Sequence, residues 1–338
     1  MRLTGIFDNI IYENKILSSV DNNFYDLIRE YYNFSGEYDN DIKDINELYN
    51  IIGESEDFDP FGEFDTDAAE IEDSTESICV LGINVKGNSK LDWPYFSLPA
   101  GYTCPLATVC KNFAAKPGKK FSDGGSIKGG PEREFMCYAA REQGQYKNLG
   151  KKVFRNLELL KLAEKSGGVK GMADLIIDSI KFYNLENTKI FRIHEGGDFF
   201  SDDYLKAWIM VANTFTNTIF YTHTTSLNYW LNNRGSIPKN LRLIASMDKN
   251  NKDIILKNNL RYSTVVYSVE EAKKLRLRID YDDMIAATTD NNFALLIHGG
   301  QPKGSDASKA VSNNRKSGVN DKIKQLHKAN KVNRKKYT

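Results

Sequence analysis

Three cysteines carry the most distinctive chemistry in this sequence. Cys104 and Cys110 lie five residues apart in Thr103-Cys104-Pro105-Leu106-Ala107-Thr108-Val109-Cys110, and Cys137 follows after twenty-six more in Phe135-Met136-Cys137-Tyr138. Thiolates are soft ligands. Three together suit an iron–sulfur cluster with one open iron, or zinc completed by His194 or His223. The spacing departs from the paired C-x2-C of zinc ribbons, which favours iron. The competing reading is three unconnected cysteines used as small apolar residues. Cys79 sits in an apolar run of strand type and reads as core.

A second constellation is Arg192-Ile193-His194-Glu195-Gly196-Gly197-Asp198-Phe199-Phe200. It starts as a strand and breaks at two glycines, which permit close backbone approach. His194, Gly196, Gly197 and Asp198 are the candidate cofactor-binding residues, Asp198 as acceptor for a ligand amine. The alternative is a strand-to-helix turn whose acid suits the helix dipole. Other predicted strand ends carry His223-Thr224-Thr225-Ser226, Ser246-Met247-Asp248 and His298-Gly299-Gly300-Gln301-Pro302-Lys303. No nucleophile-elbow serine, P-loop or GxGxxG is present, so hydrolase, P-loop and dinucleotide-binding readings are set aside. No catalytic residue is assigned.

The elements that must position these groups alternate between strand and helix. Apolar runs at 78–83, 95–98, 189–194, 218–223, 241–246, 262–267 and 293–298 read as strands. Helical patterns run over 139–164, stopped by Gly167-Gly168, then over 172–182 and over 201–215 with Ser201 as cap. Shorter helices are expected at 227–231, 253–256 and 270–275, the last begun at Ser268. The Gly/Lys-rich stretch 116–131 reads as loop. Such alternation predicts parallel pairing with right-handed crossovers, hence an incomplete (β/α) barrel or an open doubly wound sheet.

The 338 residues are 41% hydrophobic and 27% charged, and the net charge of +1 conceals segregation. Residues 1–76 carry 21 Asp/Glu against 4 Lys/Arg, residues 77–298 carry 31 basic against 22 acidic, and residues 299–338 carry 11 basic against 2 acidic. Three parts follow: an acidic arm (1–76) with helical patterns at 22–32 and 42–51, a body (77–304), and a basic tail (305–338). The tail is expected to be mostly extended, with a short helix between 321 and 329 and no catalytic residue beyond Lys303. Its cations would meet nucleic acid or the acidic arm; the arm would fold against basic surface or bind a host protein. No apolar run approaches a membrane span of about eighteen residues. Residues 1–10 lack the pattern of a signal peptide, and four cysteines do not make a secreted disulfide framework. An intracellular location is expected.

The combination of motifs resembles the phage "gene product 88" family. The stretches that carry the resemblance are Leu98-Pro99-Ala100 through Cys110, Gly130-Pro131 through Ala139, the segment with Arg155-Asn156-Leu157, Phe191 through Phe200, and Phe293 to Gly304. One departure is His223-Thr224-Thr225-Ser226, where the family has a Tyr-Thr-Lys-Ser type of sequence. That family in turn resembles the radical S-adenosylmethionine superfamily. The resemblance implies a partial (β/α)6 barrel, a 4Fe–4S cluster on Cys104, Cys110 and Cys137, and S-adenosylmethionine held near Gly196, Gly197 and Asp198. It also implies a phage-encoded protein acting in the cytoplasm of the infected host cell, its substrate open. The alternative is a non-enzymatic phage protein, binding nucleic acid or a host protein around a structural metal.

Overall fold

The computed structural model describes residues 80–88 and 91–319. The chain divides into two compact units, Met1–Val80 and Leu81–Thr338, and the second carries every described element. The expected arm helices, Cys79 and the expected helix at 321–329 lie outside the described residues.

Six strands form one sheet in which every pairing is parallel: β3 (Ile190–Arg192), β4 (Ile219–Thr224), β5 (Leu241–Met247), β6 (Tyr262–Val266), β8 (Phe293–Leu296) and β7 (Arg278–Ile279), in that spatial order. Outside β3 the 94–98 segment runs parallel to it, Arg192 N donating to Pro94 O at 3.0 Å and Leu98 N to Gly196 O at 2.8 Å. The sheet is an open half-barrel, as the alternation predicted. The 81–84 run is extended rather than a full strand; it meets the sheet through one antiparallel bridge, Asn84 to Tyr95. The stretch 116–131, expected to be loop, contains β2 (Ile127–Gly129), which pairs antiparallel with β1 (Asn112–Ala114) just before it to form a hairpin.

Helices cover the outer face. After α1 (Tyr138–Gln145) comes α2 (Lys147–Phe182), broken at Gly168, whose φ of 57° and ψ of −139° are not helical. Then follow α3 (Asp202–Thr214), α4 (Leu227–Asn232), α5 (Lys252–Lys257), α6 (Val269–Lys274), α7 (Met284–Thr288) and α8 (Asp306–Lys316). Among the described residues no helix is long and apolar enough to cross a membrane. Two starts match their sequence signals: Ser201 Oγ accepts from Tyr204 N at 3.1 Å and Ser268 Oγ from Glu271 N at 3.1 Å. Each such cap is worth about 1 kcal/mol.

The outer layer is aromatic. Trp208 of α3 packs against Phe96, Phe191 and Phe220 from three neighbouring strand segments. On the inner face Trp93, Ile190, Tyr221, Ile244 and Phe293 are fully buried with Ala286 and Ala287 of α7. Burying a large apolar side chain is worth about 1.5–3 kcal/mol, so this cluster is a main source of stability for the inner face of the sheet. The first part of the expected tail is helical rather than extended: α8 buries Ala307, and Asn314 Nδ2 donates to Tyr267 O at 3.0 Å.

Candidate metal and cofactor site

The chain leaves the sheet edge at Leu98 and enters the cysteine loop through a turn in which buried Thr103 donates from Oγ1 to Pro99 O at 2.8 Å. Gln143 of α1 clamps this exit, its Oε1 accepting from Ala100 N at 2.8 Å and its Nε2 donating to Leu98 O at 3.0 Å. Asn112 ties two cysteine segments together, donating to Cys110 O at 3.0 Å and to Phe135 O at 3.2 Å. Cys137 is the N-cap residue of α1. The residue before it is pinned by Gln301, whose Oε1 accepts from Met136 N at 2.8 Å while Nε2 donates to His298 O at 2.9 Å. Asp248, at the end of β5, accepts from Thr108 Oγ1 at 3.1 Å and so holds the loop beside Cys110.

Each cysteine keeps part of its surface exposed, and none forms a disulfide. Burial pushes the Cys110 thiol up to about 12, with further push from Cys137 and Asp198. Burial raises Cys104 too, followed by Asp198, Cys110 and Cys137. Cys137 is raised by burial, partly offset by the Ala140 and Ala139 amides at the start of α1. Every pair of the three therefore lies within electrostatic reach. Among the described residues, however, no group of three or more His, Cys, Asp or Glu side chains is drawn together as a metal cage. The donor chemistry fits an iron–sulfur cluster; the thiols as they stand share a neighbourhood rather than a centre.

The two glycines are required by crowding. A Cβ on Gly196 would lie 2.9 Å from Ala139 Cβ and from Gln143 Nε2. Gly197 has φ +90°, and a Cβ there would lie 2.7 Å from Leu98 Cβ and Thr103 Oγ1. They let α1 and the cysteine loop close onto the end of β3. Asp198 is buried and fully engaged: Oδ1 accepts from Phe199 N at 2.7 Å and Thr224 Oγ1 at 2.6 Å, and Oδ2 from Thr225 N at 2.7 Å and Thr225 Oγ1 at 2.8 Å. Burial raises its pKa and those four donors pull it back.

The backbone bends at Ile193, so His194 does not continue the strand's alternation. Its ring is buried between Phe199 and Tyr204, with Nδ1 3.2 Å from Thr222 Oγ1 and Nε2 3.2 Å from Tyr204 OH. Both nitrogens are engaged, and burial drives its pKa down to about 3. The visible work of this histidine is to join β3, β4 and α3. His223 places Nδ1 3.0 Å from Ser263 Oγ, with its ring edge-on to Phe293. Lys303 is exposed after β8.

The lumen holds a polar chain that sequence reasoning missed. Arg192 Nη1 donates to Asp283 Oδ2 at 2.8 Å, Nη2 to Tyr138 OH at 2.8 Å and Nε to His194 O at 3.0 Å. Tyr221 OH donates to Asp283 Oδ2 at 3.0 Å and accepts from Trp93 Nε1 at 3.0 Å. Tyr138 OH donates in turn to Glu195 O. The residue following Cys137 is thereby wired to the floor of the lumen. A strand-borne arginine and an aspartate in a turn leave no mutual mark on the sequence; only the parity of Arg192, which shares its face with Ile190 and its register with Tyr221, pointed inward.

With this arrangement established, the family model described as "Gene product 88" matches residues 70–317. The chain belongs to the gene product 88 family. Two curated members of similar sequence are the "Gene 88 protein" of Mycobacterium phage D29, 28% identical over 155 residues, and that of Mycobacterium phage L5, 27% identical over 155 residues. Each alignment covers 46% of this chain and 55% or 56% of the relative, so the chain spans about half the length of the curated relatives it matches. No solved structure matches. The gene product 88 match takes in all eight strands and every residue of the cysteine, glycine and lumen groups.

Proposed function

We propose that this chain is a phage-encoded iron–sulfur protein of radical S-adenosylmethionine type, acting in the cytoplasm of the infected host cell. Cys104, Cys110 and Cys137 would hold a 4Fe–4S cluster. One observation carries the reading: three thiols within one another's electrostatic reach, delivered by the loop leaving the edge of a parallel half-barrel and by the cap of the next helix. When bound, such a cluster supplies one-electron reduction of the sulfonium cofactor. The protein's own contribution is positional. Gly196 and Gly197 let α1 and the cysteine loop close onto the end of β3, so that a cofactor held by the loop would lie beside this strand end. The buried apolar cluster around Trp93 and Phe293 would present a dry wall to a bound cofactor. Asp198, saturated by its four donors, acts as a positioning residue for Thr224 and Thr225 rather than as the amine acceptor.

The test is anaerobic reconstitution with iron and sulfide. Iron and labile sulfide bound to the wild-type chain and lost in each of Cys104→Ala, Cys110→Ala and Cys137→Ala are expected. A change in the cluster's electron paramagnetic resonance signal on adding S-adenosylmethionine is the second expected result. Zinc without sulfide overturns the iron assignment, and absence of any metal overturns the site.

The saturated Asp198 favours a second reading, a non-enzymatic protein whose metal is structural. A bound cluster whose signal is indifferent to S-adenosylmethionine supports that reading over the first.

A further inference from the structure

The β1–β2 hairpin has two unlike faces. Asn112 and Ala114 are buried on the side of α1, and Ile127 faces the same way, its Cγ1 2.9 Å from where a Cβ on Gly144 would sit. The other face carries Phe113 and its cross-strand partner Lys128, with Lys111 two residues before Phe113 at the strand's entry, where Lys111 O accepts from Gly130 N at 2.9 Å. Strand neighbours two apart and directly opposed share a face. Lys111 Nζ lies 5.8 Å from the centre of the Phe113 ring.

Tyr102 is mounted on this face, two residues before Cys104. Its ring stands edge-on to Phe113 at 5.3 Å and to Phe154 at 5.2 Å, yet 37% of the residue is exposed. The mounting depends on Gly101, whose φ is +82° and whose Cβ would lie 2.5 Å from Asn112 O. A large aromatic side chain displayed by a crowded glycine is a built feature of the surface.

Around it the charge is one-sided. Residues 111–133 hold six Lys/Arg against two carboxylates. Asp123 accepts from Gly125 N at 2.8 Å within the hairpin loop, and Glu132 from Asn250 Nδ2 at 2.7 Å. Lys119, Lys120 and Lys128 are exposed, and among the described residues no carboxylate pairs with them. Cations flanking an accessible aromatic ring match the chemistry of a single nucleic-acid strand, phosphates meeting lysines while a base stacks on the ring.

We propose that this hairpin face binds single-stranded nucleic acid and presents it beside the cysteine loop. The proposal uses none of the residues of the basic C-terminal segment and is independent of whether the cysteines carry a cluster.

Fluorescence anisotropy with labelled oligothymidylate and oligouridylate, using the full chain over a salt series, tests it. The combined variant Lys119→Gln, Lys120→Gln, Lys128→Gln is expected to weaken binding about tenfold or more, with the salt slope falling by about 2 for three lost contacts. Tyr102→Leu is expected to weaken binding about tenfold, while Tyr102→Phe, which keeps the ring, binds as the wild type does. A higher affinity for DNA or for RNA identifies which strand the surface takes. Unchanged affinity in the triple variant overturns the proposal, as does loss of binding only when Lys331, Arg334, Lys335 and Lys336 are neutralised. Duplex DNA or polyglutamate bound as tightly as single strands overturns it too, since neither exploits the exposed ring.

Discussion

Arg192 and Asp283, ninety-one residues apart, form an ion pair 2.8 Å long in the lumen, with 9% and 3% of their side chains exposed. It binds the strand that precedes the paired glycines to the turn that precedes α7. Asp283 has a φ of 59°, a conformation that aspartate and asparagine tolerate better than most residues. Asp283→Asn therefore keeps the turn but leaves a guanidinium buried without its anion, at a cost of about 3–5 kcal/mol. Urea denaturation should show that loss, and adding Arg192→Met should restore part of it. A single variant as stable as wild type would show the pair to be dispensable.

Gly197→Ala places a methyl group 2.7 Å from Leu98 Cβ and Thr103 Oγ1 at a φ of +90°. Strain of about 1–3 kcal/mol is expected. The cysteine loop should yield before the sheet does. Cys104 is then expected to react faster with a thiol reagent in the variant, by mass spectrometry, while the unfolding midpoint moves little.

Gln143→Leu removes both partners of two backbone groups at the sheet exit, Ala100 N and Leu98 O. Each buried group left unsatisfied costs about 1–3 kcal/mol, so thermal unfolding should start several degrees lower. Under the proposed function the same variant should retain less iron after desalting than the wild type.

Acid should find His194. Its folded pKa, about 3, lies below the ordinary 6.5, so between those values the unfolded chain binds a proton that the folded one refuses. The stability this histidine supplies is complete above pH 6.5 and falls by about 1.4 kcal/mol per pH unit below it. His194→Gln should flatten the slope of stability against pH between about 6 and 4, and an unchanged slope refutes this account. Glu158 runs oppositely: burial raises it to about 7, so its folded form prefers the proton, and its contribution weakens as pH climbs from 4.5 to 7.

Local signals located the longer strands and most helices of the half-barrel, because burial on both faces writes runs such as Ile190-Phe191-Arg192 and because Ser201 and Ser268 announce their helices. The one helix expected at 139–164 is divided at Tyr146. The misses were short or non-local. β7 has two residues, α7 five, and the hairpin pairs strands separated by a lysine- and glycine-rich loop, where composition speaks for loop and only tertiary packing on α1 speaks for strand. α8 carries few large apolar residues and is held by Ala307 and Asn314, which weigh little in a hydrophobic pattern. In the site, the need for glycine at 196 and 197 was legible. The hydrogen-bond partners of His194 and Asp198 were not, because the bend at Ile193 and the positions of Thr222, Thr224 and Thr225 are set by the fold.

A barrel left half open keeps two edges, and bare edges invite other chains to add strands and aggregate. Here both are blunted. On one side Asn84 exchanges backbone bonds with Tyr95, and the side-chain amides of Asn156 and Gln143 occupy Ser97 O at 3.1 Å and Leu98 O at 3.0 Å. On the other, β7 is two residues long and flanked by exposed Arg276 and Arg278. Neither edge offers a run long enough to template a neighbour, so the sheet stays open without becoming a seed for fibres.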